Sequence, residues 1–120
     1  MNRGFISPER HGLIDYGFGI VGVGLPALLK LPGPARTLPT TWALAQGSLN
    51  ALTDQRYAVR RIIPFSLHGQ AETLGLPAFF LATVASGALE QRKSRLFFAG
   101  LFAALLTNYV LTDYDATPER

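Results

Sequence analysis

The chain has no cysteine. That removes disulfides, thiolate catalysis, zinc–thiolate sites and iron–sulfur clusters together. Charge is also scarce. Asp, Glu, Lys and Arg make up 16% of the 120 residues, while hydrophobic residues make up 48%. An ordinary soluble domain is roughly 25% charged. A chain this short forms one domain at most and cannot build a large core, so a lipid environment accounts for the deficit better than burial does. The net charge of +3 and the pI near 9.7 do not point to nucleic acid. The basic residues fall in short clusters between apolar runs, the pattern of side chains that meet acidic head groups beside a membrane. No small-residue cleavage site follows the first apolar run, which Asp15 interrupts, so the start does not read as a signal peptide.

The charged residues leave four gaps, at 16–29, 37–53, 73–89 and 96–112. A bilayer core calls for about 20 apolar residues, with 17 at the short end. The gaps are 14 to 17 residues long and reach that span if flanking residues lie at the interface or snorkel. A soluble four-helix bundle would show polar residues on its outer faces at every turn. The stretch LFFAGLFAALL from Leu96 to Leu106 has none. The expected fold is therefore all-α, with four transmembrane helices.

Ser7-Pro8-Glu9 reads as a helix start, with Ser as the N-cap and Pro at the first helical position. The first helix carries Gly17, Gly19, Gly22 and Gly24, which let backbones approach closely in lipid. Leu31-Pro32-Gly33-Pro34 reads as a turn. The second helix is the most polar, with Gln46, Asn50 and Thr53, and should face the bundle interior. Trp42 near its start suits a membrane–water interface. The third offers Ala71 and Gly75 as a small-x-x-x-small pair. Phe79, Phe80, Phe97 and Phe98 read as core- or lipid-facing bulk. The tail from Asp115 is expected to fray. Arg3, Arg10, Arg56, Arg60 and Arg61 fall on one side, and Lys30, Arg36, Arg92, Lys93 and Arg95 on the other. That balance does not fix an orientation.

Two anchors recur. His11-Gly12 with Asp15 returns 57 residues later as His68-Gly69 with Glu72. Leu52-Thr53-Asp54 returns 59 residues later as Leu111-Thr112-Asp113. The chain thus reads as a single membrane domain, 1–120, made of two copies of one helical hairpin. Repeat 1 covers 7–57, with helices at about 8–30 and 38–54. Repeat 2 covers 64–115, with helices at about 64–89 and 95–112. Two helices return the chain to the face it left, so the hairpins are parallel repeats.

In these features the chain resembles the SPW-repeat membrane proteins of bacteria. Members carry two copies of a two-helix unit. Each unit opens with a His, an Asp four residues on and a Gly another four on, and ends its first helix in Ser-Pro-Trp. Here His11, Asp15, Gly19 and Pro26 fall at the fitting offsets, with Leu25 and Ala27 in the Ser and Trp places. The second copy has His68, Glu72, Leu76 and Thr83. The connector from Leu52 through Tyr57 to Arg61-Ile62-Ile63-Pro64 is also similar. The resemblance implies a membrane location and a two-by-two helix plan. It implies no activity.

The repeat brings His11, Asp15, Asp54, His68, Glu72 and Asp113 towards one level of the bilayer, with Arg56, Arg60 and Arg61 outside, placed for lipid head groups. Ionisable groups at such depth need partners. Three readings follow. The leading one is a structural polar cluster that pins the helix ends in a non-enzymatic structural or assembly component. The alternative is a metal or haem site with His11 and His68 as ligands, helped by Asp15 and Glu72, in a redox or proton-handling protein. The third is proton or ion relay through the same groups. No cofactor is required by the sequence. No nucleophile–base pair suggests acyl transfer, and the GFGIVGVG run lies inside an apolar helix, unlike a phosphate loop. The expected setting is a bacterial inner membrane, with the bilayer as partner, in a homo-oligomer or a larger membrane complex, and without nucleic acid.

Overall fold

The Ser7 hydroxyl accepts a hydrogen bond from the Arg10 N–H at 3.2 Å, and Pro8 opens the first helix. The computed structural model describes residues 4–119. Arg3, the first residues weighed for a signal peptide and the last residue of the tail lie outside the described residues. The chain is all-α, with four helices: α1 Pro8–Leu28, α2 Pro34–Leu52, α3 Phe65–Ala85 and α4 Arg92–Leu111.

The helix boundaries differ from expectation for local reasons. α1 stops two residues early, and Lys30 beyond it has a positive φ of 53°. α2 starts at Pro34 instead of 38, because a proline at the first helical position has no hydrogen bond to lose. α3 closes at Ala85, short of 89, and the chain turns at Gly87 with φ 84°. α4 takes in Arg92 and Lys93 and begins three residues early. Each helix has 19 to 21 residues, longer than the charge-free gaps. At 1.5 Å per residue that is about 30 Å, close to the hydrocarbon thickness of a bilayer. α1 and α4 are long and apolar enough to cross a membrane. Of the residues in those windows, 28% and 33% are buried within the chain. α2 and α3 fall short on composition, α3 because it carries His68, Gln70 and Glu72 near its start.

Large apolar side chains stand outward on all four helices, among them Ile20, Leu44, Leu74 and Leu96. The buried apolar cluster lies on the side of the α1–α2 turn and the α3–α4 turn. It contains Leu31, Ala35, Phe79, Ala88, Phe97 and Phe98. Trp42 is not held at an edge. Its indole stacks on Phe79 of α3, with ring centroids 5.1 Å apart and planes 7° from parallel. Phe79, Phe97 and Phe98 are buried, whereas Phe80 is exposed.

Helix approach depends on one glycine in α1. A Cβ at Gly22 would stand 2.8 Å from the Ala43 Cβ and 3.1 Å from the Pro39 carbonyl oxygen. Gly17 and Gly24 meet nothing within 4 Å. Ala71 and Gly75 lie on an exposed face of α3, so this small-residue pair makes no helix contact within the chain.

Two clasps close the other end of the bundle. The Ile6 N–H donates to the Leu111 carbonyl and the Asp113 N–H to the Ile6 carbonyl, both at 3.0 Å. In the same pattern the Ile63 N–H donates to the Leu52 carbonyl at 2.9 Å and the Asp54 N–H to the Ile63 carbonyl at 2.7 Å. The start of α1 is thus tied to the end of α4, and the end of α2 to the start of α3. As far as Glu119 the tail, expected to fray, is tied back to the bundle. The Glu119 N–H reaches Glu9 Oε2 at 3.1 Å, and Arg61 donates to the Glu119 carbonyl.

Candidate metal centre

The clasps set α1 and α3 side by side at their first turns, where each helix carries a His and a carboxylate on one face. His11, Asp15, His68 and Glu72 offer one ligand atom apiece within 4.8 Å of one another. The His11 and His68 Nε2 atoms are 3.3 Å apart. Asp15 Oδ2 stands 3.1 Å from both, and Glu72 Oε1 stands 3.1 Å from both. The two imidazoles and Asp15 are fully buried, while Glu72 keeps 15% of its side chain exposed.

The outward nitrogens of the two rings have matching partners. His11 Nδ1 is 2.8 Å from Thr112 Oγ1, and His68 Nδ1 is 2.8 Å from Thr53 Oγ1. Each threonine already gives its single hydroxyl proton to the carbonyl one turn back, Thr112 to Asn108 at 2.5 Å and Thr53 to Leu49 at 2.6 Å. The hydroxyls therefore accept from Nδ1–H. In a neutral imidazole that leaves a bare lone pair on Nε2. With both rings neutral, the two lone pairs would face each other and two carboxylate oxygens, four acceptors with no donor among them; with the rings protonated, each Nε2–H would donate into the same cluster. Asp15 Oδ2 lies close to both rings but off the line of any N–H, and it has no hydrogen-bond partner. A buried carboxylate oxygen in this state is costly unless positive charge stands beside it, from a metal ion at the centre or from a protonated imidazole at 3.1 Å.

The surrounding shell is built from the same repeat. A Cβ at Gly12 would strike the Gln55 side chain at 2.5 Å, and one at Gly69 would strike the Tyr114 ring at 2.6 Å. The glycine after each His therefore makes room for the residue two places after each threonine. Asn50 donates to the Gly12 carbonyl at 2.9 Å, and Asn108 reaches Asp15 Oδ1 at 3.4 Å. Gln46 donates to the Asp15 carbonyl at 2.8 Å, so Gln46, Asn50 and Thr53 all turn inward from α2. Phe65 and Tyr114 stack at 5.3 Å and cover the cluster on the connector side. The Tyr114 hydroxyl donates to Glu72 Oε2. Burial, and then the adjacent Glu72 charge, hold that phenol well above its ordinary pKa, so it stays a donor.

Of the six ionisable residues expected at one level, the structure joins four. Asp54 pairs with Arg61 at 2.6 Å, and Asp113 accepts the Asp115 N–H at 3.1 Å. In both Leu-Thr-Asp motifs it is the threonine that enters the cluster. Arg56 and Arg60 are exposed, with Arg56 3.4 Å from Glu119, while Arg61 is turned towards Asp54 and the tail. Thr53, Thr112 and Tyr114 were not singled out as site residues from the sequence. The recurrence of Leu-Thr-Asp was the available signal for the threonines, since a residue that orients a ligand repeats with that ligand. Comparison with protein-family models, curated proteins and solved structures gives no match at any level that identifies a relative.

Proposed function

We propose that this chain is a small bacterial inner-membrane protein whose four helices all span the bilayer as two parallel hairpins, and that it holds one divalent first-row metal ion between them. His11, His68, Asp15 and Glu72 are its ligands. The observation that carries the reading is the convergence of two imidazole Nε2 atoms and two carboxylate oxygens on one buried point. Ligands bound tetrahedrally at 2.0–2.1 Å stand about 3.3 Å from each other. The ring-to-ring distance is 3.3 Å and the four ring-to-carboxylate distances are 3.1 Å, while the four atoms together span 4.8 Å, so the two carboxylates stand wider than in a tetrahedron and would draw in on a bound ion. Two neutral imidazoles, two carboxylates and a divalent ion sum to zero charge, which suits a site inside a membrane protein. Nitrogen and oxygen donors without sulfur favour zinc, iron or manganese over copper(I).

Haem is the weaker form of this idea. A haem held by both imidazoles would need room for its macrocycle between them. Here the nitrogens are 3.3 Å apart and the two carboxylates occupy the space at their sides. With all four positions supplied by protein, the ion is a staple between hairpins, and the protein a structural or assembly component. The outward apolar side chains are covered by lipid, by further copies or by a larger complex. The resemblance to SPW-repeat proteins agrees with this plan and adds no chemistry.

One observation favours an ion-free polar lock instead. Glu72 Oε1 has hydrogen-bonding geometry to both Nε2 atoms, as two protonated rings would use it. Metal analysis of the detergent-purified chain separates the two. One equivalent of zinc, iron or manganese per chain, lost in His68→Ala and Asp15→Asn, is expected. A metal-free protein that takes up none of the three on reconstitution leaves the lock.

A further inference from the structure

The two hairpins differ at one level, and the difference opens a route to the cluster. In the first hairpin Gly22 lies against Ala43. The residues at the same offsets in the second hairpin, 57 and 59 places on, are Phe79 and Phe102, with ring centroids 5.0 Å apart. Two rings stand where a glycine and an alanine let α1 and α2 close. They wedge α3 from α4, and a cavity of about 490 Å³ lies between these helices. That is the size of a small-molecule site. Its wall is apolar along Leu76, Phe80, Phe102 and Leu106, and Glu72 lies at one end with Tyr109. Glu72 is the only cluster ligand with appreciable exposure, 15% against 0 to 2% for the rest. The similar cavity between α1 and α4 is lined by no cluster residue.

We infer that the α3–α4 cavity binds a single-chain amphipath, an alkyl tail with an oxygen-donor head such as a fatty acid, whose head reaches the metal ion by displacing Glu72. The inference rests on the metal reading above. An apolar wall takes the tail, and the one charged group in that wall is an ion ligand, so the head group must be one the ion can bind. An anionic head replaces the carboxylate charge for charge. Tyr114 keeps hold of Glu72 through Oε2 while Oε1 leaves. His11, His68 and Asp15, no more than 2% exposed, stay in place.

The test uses the full chain loaded with cobalt(II) in lipid nanodiscs, with the visible cobalt band as readout. Octanohydroxamate and acetohydroxamate are the probes, sharing one head and differing in tail. The octanoyl compound is expected to shift the band at a concentration at least about tenfold lower, since each added methylene gains from burial. Ala103→Trp, which fills the cavity from an exposed position, is expected to leave the starting band intact and erase the difference. Leu106→Trp is the second variant should the first fail to load cobalt. Equal potency of the two probes in the wild type, or a tail preference that survives both fillings, overturns the inference and leaves the metal reading standing. Absence of a tetrahedral cobalt band in the wild type overturns both.

Discussion

His11 and Thr112 are 101 residues apart in the chain, and the imidazole Nδ1 of one lies 2.8 Å from the hydroxyl of the other. Thr53 does the same for His68. Each ring is thus oriented by the hairpin it does not belong to. Removing the hydroxyl while keeping the shape should loosen the ring without emptying the core. Thr53→Val and Thr112→Val are each expected to weaken metal affinity 10- to 100-fold, as loss of an outer partner does elsewhere. Thr→Ser at either place should restore most of it. Competition with a chelator of known affinity measures the change, and unaltered affinity in both valine variants would count against the orientation argument.

Stripping the ion should destabilise the fold. A ligand that binds only the folded state adds about 2.7 kcal/mol when present at 100 times its Kd. Unfolding in mixed detergent micelles should therefore begin earlier in the presence of a strong chelator. In His11→Ala the chelator should make no further difference, because there is no ion to remove.

The glycines of the two His-Gly pairs are steric requirements. Gly12→Ala and Gly69→Ala each drive a methyl into the residue that covers the cluster, Gln55 or the Tyr114 ring. A cost of about 1–3 kcal/mol is expected, the usual range for overpacking. Gly17→Ala, where nothing lies within 4 Å, should be neutral or stabilising by about 0.5–1 kcal/mol. Unfolding midpoints of the three variants decide this directly.

Because the chain has no cysteine, single cysteines report position cleanly. Leu44 in α2 and Leu74 in α3 face outward in mid-helix, and Val59 faces outward on the connector. If all four helices span the bilayer, Val59→Cys should react with a hydrophilic maleimide from one side of the membrane. Leu44→Cys and Leu74→Cys should react only after detergent is added. Fast labelling at Leu44 or Leu74 in intact membranes would reduce the span count to the two helices that qualify on composition alone, α1 and α4.

The four helices were legible because long charge-free runs, the Ser7-Pro8 start and the Pro-Gly turn are local signals. Their ends were less so, since Pro34 and the residues around Gly87 act through backbone geometry that hydropathy does not register. The His and carboxylate pairs were legible as pairs, because i and i+4 share a face. Their meeting was not derivable from either helix. It depends on the backbone clasps at Ile6 and Ile63, which look like ordinary connector sequence. Asp54 and Asp113 drew attention as charges, whereas the neighbouring threonines did the orienting. Charge marks a costly residue in a membrane, but a hydroxyl that bonds its own helix looks unremarkable in a sequence. Gly22 and Phe79 illustrate the remaining gap. Only the repeat offset reveals that they occupy equivalent places with opposite effects on helix spacing.

The crossed arrangement of rings and hydroxyls bears on how such a molecule arises. Neither hairpin alone owns a complete centre, for each has one imidazole, one carboxylate and a threonine pointed at the other's ring. A half-length chain with this plan would have to pair with itself to bring two imidazoles and two carboxylates together. Carrying both halves in one chain makes that pairing permanent, and it lets one half hold rings at Phe79 and Phe102 where the other keeps Gly22 and Ala43.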